Sequence, residues 1–320
     1  MCVIGWNSMQ ICSLLPSATE IVFALGAERS LIGVTHECDY PYQATQIRKV
    51  TRSKIPATFS SGEIDSAVSS TLDAVGSIYD LDMDLLETLQ PDVVLTQRLC
   101  NVCAVSFDDV VQAVESLKSR PKVLNLEPTS LADILANICT VGQAIGREPE
   151  AEAFVQSLQL RIDVIRNKTK YLLSRPRVLC LEWVDPLYCG GHWMKELVEI
   201  AGGTDNFSNH KRPSHRLNWE HVLEVRPEII VLTCCGFGLD RCAEEGHILA
   251  RLEGVHELPA TKSGRVFATD GSAYFSRPGP RIVESLEILA HLINPDIFPP
   301  PPLSKAFSRL DLSRKKANPM

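Results

Sequence analysis

The side chains best suited to chemistry in this chain sit in short motifs that each follow an apolar run. His36-Glu37-Cys38-Asp39-Tyr40-Pro41 follows Ile32–Thr35, Gln97-Arg98-Leu99-Cys100-Asn101-Val102-Cys103 follows Val93–Thr96, and Cys234-Cys235-Gly236-Phe237 follows Ile229–Thr233. Glu182-Trp183 follows Val178–Leu181, with Gly190-Gly191-His192-Trp193 a little further on, and Asp270-Gly271-Ser272-Ala273-Tyr274-Phe275 follows Val266–Thr269. Thiolate and imidazole groups suit zinc and other borderline metals, so His36, Cys38, Cys100, Cys103 and Cys235 form a candidate metal set, with His192 a further imidazole. A single C-x-x-C pair does not define a structural zinc site, which needs a second pair of ligands, and free cysteines also serve as small buried hydrophobes. Both readings stand at the level of sequence.

Trp183, Trp193 and Tyr274 suit stacking on a flat ligand; the alternative is that they cap a core, and for Trp219 that alternative is preferred. Glu37, Asp39, Arg52, Glu182 and Arg277 lie next to apolar strands, where they either orient the polar groups of a ligand or sit solvated on a rim. With Tyr40, Gln97 and His192 from the same loops they complete the candidate ligand-binding set. Glu63 and Asp65 are read instead as carboxylates favoured at a helix N-terminus.

Phosphate-loop, dinucleotide-fingerprint, nucleophile-elbow and H-E-x-x-H patterns are missing, so neither ATP nor NAD is expected and a binding protein is favoured over an enzyme. Thiol chemistry is the enzymatic alternative, because Cys100 and Cys103 lie between a strand and a helix, where the helix N-terminus lowers a thiol pKa. A sensor that reports ligand occupancy to a protein partner is a further alternative.

These loops need strands to carry them. Runs of four to six apolar residues alternate with helices, which predicts parallel sheets covered on both faces, and in such sheets ligands bind beyond the carboxyl ends of the strands. The first unit reads as a strand Ile11–Leu15, then Pro16, then a helix opened by a Ser17/Glu20 capping box and closed by Gly26. The second half repeats the first in order: Met194–Gly203 resembles Ala18–Ala27, Leu223–Cys234 resembles Leu86–Gln97, and Ser263–Gly271 resembles Ser119–Pro128. Two similar α/β lobes are therefore expected, residues 10–128 and 174–298. Residues 129–173 read as a helical bridge, broken at Gly146-Arg147-Glu148-Pro149, whose second run spans about 30 Å. Lobes braced by a helix hinge little and face one another across a cleft. The last helix opens at Arg277-Pro278-Gly279-Pro280 and carries the apolar stripe Ile282, Leu286, Leu289 and Ile293; residues 299–320, Pro-rich and then basic, are expected to be a disordered tail.

A chain of 320 residues, 45% of them hydrophobic, has room for two such domains, and a net charge of −7 argues against a phosphate-tracking nucleic-acid binder. The first 20 residues lack the basic segment and continuous apolar run of a secretory signal, and no run of about 18 apolar residues offers a transmembrane segment. A cytoplasmic monomer with its 11 cysteines reduced is expected.

The segments SLLPSATEIVFALGA, GVTHECDYP, VTRS, LTQRLCNVCAVS, LEWVDPLYCGGHWMKELVEIAGG, CCGF and DGSAYFSRPGPRIVESLEILA resemble the helical-backbone (class III) substrate-binding proteins of iron-siderophore and cobalamin ABC importers, in particular a cobalamin-binding-like branch. The resemblance runs from about Gln10 to Phe298. It implies an α/β architecture of two Rossmann-like lobes with parallel sheets, joined by a long bridging helix, with a shallow cleft and small hinge motion. The ligand it implies is cobalamin or another corrinoid, another tetrapyrrole, or a metal chelate. The sequence departs from importers in showing no export signal and no lipid-anchor cysteine, which argues against a permease partner. The additional cysteine and histidine loops suggest that a metal or metallocofactor, with zinc as one divalent candidate, is held directly.

Overall fold

In the computed structural model, residues 9–98, 107–303 and 305–312 are described. The chain divides into two compact units, Met1–Pro128 with Asp133–Gln156, and Thr129–Ala132 with Ser157–Met320. Along the first, the elements run β1 (Ile11–Ser13), α1 (Pro16–Ala24), β2 (Leu31–Val34), β3 (Thr51–Ser53), α2 (Ser61–Val75), β4 (Tyr79–Leu81), α3 (Met83–Leu89), β5 (Val93–Thr96), α4 (Phe107–Ser116) and β6 (Lys122–Asn125). Four parallel strands form a sheet in the order β2-β1-β5-β6, and β3 and β4 pair as a separate antiparallel ribbon. The inner strands β1 and β5 are buried along their whole length, as strands covered on both faces must be. Two helices follow, α5 (Leu131–Ile145) and α6 (Glu148–Thr169), separated at Gly146 with φ +69°. The division between the units falls inside α6, after Gln156.

The second unit continues with β7 (Val178–Trp183), β8 (Tyr188–Cys189), α7 (Met194–Ile200), α8 (Trp219–Val225), β9 (Ile229–Leu232), α9 (Leu239–Leu249), α10 (Pro259–Lys262), β10 (Val266–Thr269), α11 (Ile282–Ile293) and β11 (Phe307–Arg309). Its sheet has the order β11-β10-β9-β7-β8, with three parallel inner strands between antiparallel edges. β11 departs, at residues 307–309, from the expectation of a disordered tail over residues 299–320. Phe307, Ser308 and Arg309 pair with Thr269, Ala268 and Phe267, and the Arg309 guanidinium donates to the carbonyls of Gly264 and Ser263. The proline run lacks donors for a ladder, whereas the residues beyond it supply them to an otherwise open edge of β10.

The internal repetition extends to backbone detail. α1 and α7 are each followed by a left-handed glycine, Gly26 at φ +66° and Gly202 at φ +90°. The next N–H then reaches five residues back, Ala27 to Val22 O at 3.0 Å and Gly203 to Val198 O at 2.9 Å. α3 and α8 end on the left-handed non-glycine residues Gln90 and Arg226, each directly before a proline that disfavours helical dihedrals in its predecessor. The acid after each proline then holds the start of a neighbouring strand: Asp92 Oδ2 accepts from Gln10 N at 2.7 Å, and Glu228 Oε2 accepts from Arg177 N at 3.0 Å.

One local expectation fails. α1 has no Ser17/Glu20 capping box, because Pro16 occupies its first turn and Leu15 is the preceding residue, while Ser17 and Glu20 are buried. A capping box does open α2, where Glu63 N donates to Ser60 Oγ at 3.4 Å and Ser60 N donates to Glu63 Oε2 at 2.8 Å. The bonds donated to its carboxylate by the Ser60 backbone N–H and hydroxyl hold the exposed Glu63 below its ordinary pKa.

Candidate functional site

Strands that run parallel deliver their following loops to one sheet edge. In the first unit that edge receives the segments after β1, β2, β5 and β6; in the second it receives those after β7, β9 and β10.

After β2, His36 Nδ1 lies 2.7 Å from Thr51 Oγ1, and the His36 backbone N–H donates to the same oxygen at 3.0 Å. This joins the segment after β2 to the β3–β4 ribbon. Tyr79 of the ribbon sets its ring 5.4 Å from the His36 ring and donates its hydroxyl to Glu37 Oε1 at 3.3 Å. Burial first, and then the charge of Lys49, lower the His36 pKa, so the imidazole stays neutral at neutral pH. Lys49 in turn donates to the carbonyls of Cys38 and Ala44 at 2.8 and 3.1 Å. Glu37, Asp39 and Tyr40 are exposed on this edge, Arg52 is exposed on the adjoining β3, and Gln97 is buried just beyond β5.

Cys38 departs from the metal-ligand reading. It is buried, with Sγ 3.1 Å from Thr19 Oγ1. The single Thr19 hydroxyl proton goes to Ser13 Oγ at 2.9 Å, and that of Ser13 goes to Leu15 O at 3.0 Å. Cys100 and Cys103 lie outside the described residues. Among the described residues no three cysteine, histidine or acidic side chains gather as a metal would require, so His36, Cys38 and Cys235 do not belong to such a cluster there.

In the second unit, Glu182 at the end of β7 accepts from Gly191 N at 3.0 Å. Burial raises its pKa, while the bonds from Gly191 and the Ser214 side chain oppose that rise. Gly191 has to be glycine, since a Cβ there would stand 2.3 Å from Ser214 N. The next residue, His192, is left-handed at φ 53° and is clamped on both sides: its N–H donates to Arg212 O at 2.6 Å and its carbonyl accepts from Lys211 N at 3.2 Å. Its ring lies 5.6 Å from that of Trp193, and burial lowers its pKa. His192 Nδ1 is buried without a hydrogen-bond partner among the described residues.

The aromatic residues separate into two groups. Trp193 is buried and donates Nε1 to Phe275 O at 3.3 Å, so it caps the core, which corrects its assignment to the ligand set. Trp183 is partly exposed, donates Nε1 to Asp185 O at 2.9 Å, and sets its ring 4.9 Å from Phe237. The Arg241 guanidinium lies over the Phe237 ring at 3.7 Å. Tyr274, also partly exposed, sits in the π-helical turn Gly271–Phe275 with the Arg281 guanidinium 5.6 Å from its ring. Arg277 is only 6% exposed and donates to Ser272 Oγ at 3.3 Å, so it braces this turn from within. Arg241 was missed by sequence reasoning: it lies four residues past the Phe237 motif, and nothing in its spacing marks it as a partner of that ring.

Two sheets in one chain, each with parallel inner strands and with polar and aromatic loops at its carboxyl edge, define the class of α/β ligand-binding proteins. The chain belongs to the periplasmic binding protein family, whose pattern matches residues 11–273. An uncharacterised ABC transporter substrate-binding lipoprotein of Bacillus subtilis, YvrC, is 26% identical over 296 residues, covering 90% of this chain and 81% of the relative. A vitamin B12-binding protein of Vibrio cholerae is 24% identical over 292 residues, covering 87% of this chain and 86% of the relative. Among solved structures, the B12-binding protein BtuF of Vibrio cholerae superposes with a TM-score of 0.66 at 20% identity, over 89% of this chain and 96% of its own. The haem-binding protein RhuT of Roseiflexus superposes with a TM-score of 0.68 at 20% identity, over 90% and 98%. These superpositions bear out the expected two-lobed α/β fold.

Family membership also corrects the expected cytoplasmic location. The family is one of periplasmic binding proteins and includes a lipoprotein relative, which argues for an extracytoplasmic rather than a cytoplasmic setting. No helix among the described residues is long and apolar enough to cross a membrane.

Proposed function

We propose that this protein binds a corrinoid or a related metal-bearing macrocycle, using the carboxyl edge of the second unit's sheet as an aromatic platform. The observation that carries this reading is the Trp183–Phe237 ring pair with Arg241 over it: a partly exposed indole backed by a second ring offers a rigid flat surface at little entropic cost. Relatives named vitamin B12-binding proteins support the choice of a corrinoid. The clamped His192 is the polar group at this edge that would read the periphery of such a ligand. In this reading the metal arrives inside its own chelate, and Cys38 contributes to packing.

The test is equilibrium titration of purified protein with cyanocobalamin and, separately, with haem, followed by tryptophan fluorescence and the ligand's absorption. Saturable one-to-one binding of the corrinoid, weakened by Trp183→Ala, is expected. A flat response to both ligands overturns the proposal.

The expectation against a permease partner was tied to the cytoplasmic reading and falls with it. The name of the Bacillus subtilis relative supports delivery to an ABC transporter as the accompanying role. Ligand-dependent binding to a reconstituted corrinoid permease tests this, and identical binding with and without ligand counts against it.

A further inference from the structure

The second unit carries an apolar and basic surface that the proposed ligand role does not use. Every large apolar side chain exposed in that unit among the described residues falls between positions 160 and 173. Leu160 and Val164 of α6 are each more than half exposed, Tyr171 is 79% exposed, and Leu173 is open along its whole side chain. Four-residue spacing puts Leu160, Val164 and Lys168 on one face of the helix. Exposed apolar residues scattered singly need no explanation, whereas a contiguous group marks a contact surface.

Charge indicates what that surface meets. From Val164 to Arg177 the chain has five basic residues and no acid, against a net charge of −7 for the whole. The three arginines are committed: Arg166 pairs with Asp163 at 2.9 Å, Arg177 pairs with Glu228 at 3.3 Å, and Arg175 donates to the carbonyls of Glu199 and Thr169 at 2.9 and 3.0 Å. Lys168 and Lys170 are exposed and have no carboxylate partner among the described residues. Lys170 Nζ lies over the Tyr171 ring at 4.7 Å, and Lys168 Nζ lies over the Phe298 ring at 5.3 Å. Glu196 and Glu199 line the same hollow as Lys170 but are turned to other groups. Glu196 Oε2 accepts from Leu131 N at 2.9 Å, and Glu199 Oε2 lies 3.3 Å from His210 Nε2.

We propose that the surface from Leu160 to Leu173 docks this protein on an anionic lipid bilayer. Tyr171 and Leu173 enter the interfacial layer, Leu160 and Val164 lie against it, and Lys168 and Lys170 extend to the lipid phosphates. A second copy of the chain is the poorer occupant, because a two-fold contact sets these lysines against their own counterparts. The proposal stands apart from the ligand assignment, since none of these residues belongs to the aromatic platform.

The test is flotation of the full chain with vesicles of phosphatidylcholine alone and of phosphatidylcholine mixed equally with phosphatidylglycerol, at low and high salt. Binding to the anionic vesicles only, reduced by salt, is the expected result. Lys168→Ala with Lys170→Ala should weaken it roughly thirty-fold, at about five-fold for each lysine. Tyr171→Ser with Leu173→Ser should weaken it about ten-fold. All four side chains are exposed, so both variants should keep the wild-type unfolding midpoint. Failure to bind the anionic vesicles, equal binding to both kinds, or wild-type binding by either variant overturns the proposal. So does a dimer, seen by sedimentation without lipid, that the same substitutions dissolve.

Discussion

Replacing Trp183 separates a ligand-facing aromatic from one that merely caps a core. In the free protein, Trp183→Ala removes a ring pair at 4.9 Å and a 2.9 Å hydrogen bond from Nε1 to Asp185 O. The first contributes about 0.5–1.5 kcal/mol beyond its buried area and the second about 1 kcal/mol, so stability should fall by roughly 2 kcal/mol. Losing a central aromatic anchor should separately weaken corrinoid binding by about 2 kcal/mol, or roughly thirty-fold in Kd. Trp183→Phe keeps a ring against Phe237 and gives up the Nε1 bond, so it should lose about 1 kcal/mol of stability while holding Kd within a few-fold. Denaturant unfolding gives the first quantity and fluorescence or calorimetric titration the second. A Trp183→Ala protein that loses stability as described yet binds with unchanged Kd refutes the platform and leaves Trp183 as packing.

Other outcomes follow from the same geometry. Burial raises the Glu182 pKa in the folded state, so folding favours its protonated form; that contribution is present below the unfolded pKa and is lost as pH rises through the folded pKa. Glu182→Gln should therefore raise the melting temperature relative to wild type at pH 7 and lose that advantage at acid pH, which a pair of thermal scans decides. Gly191→Ala forces a Cβ to 2.3 Å from Ser214 N and should cost about 1–3 kcal/mol in denaturant unfolding; an unchanged midpoint would mean that the loop shifts freely. Deleting residues 303–320 removes β11 and the Arg309 bonds to Ser263 and Gly264, with an expected loss of roughly 3 kcal/mol, whereas a disordered tail could be removed without effect. Ser60→Ala breaks the box that opens α2 and should lower stability by about 1 kcal/mol, with Ser60→Asp restoring it.

Much of the fold is legible where a residue's backbone chemistry leaves one outcome. Gly26, Gly146 and Gly202 end helices because they accept positive φ without strain, and Pro91 and Pro227 stop helices because they restrict the residue ahead. The duplicated pattern around them shows that the chain folds its sheet plan twice. Less legible is anything that depends on which of several adequate residues wins. Ser17 and Glu20 have capping-box spacing, yet α1 starts at Pro16, two residues earlier than that box requires; Ser60 and Glu63 have the same spacing and form the box. Trp183 and Trp193 look alike in sequence, and only the Trp193 bond to Phe275 O, 82 residues away, consigns it to the core. The contact of Cys38 with Thr19, and of Thr19 with Ser13, is one that no linear motif records.

A crystal structure of the protein with cyanocobalamin bound tests the proposed role most directly. The corrin ring should lie against Trp183, with Phe237 and Arg241 behind it and His192 within hydrogen-bond reach of a peripheral amide. A corrin bound elsewhere, with Trp183 still open to solvent, would contradict the account.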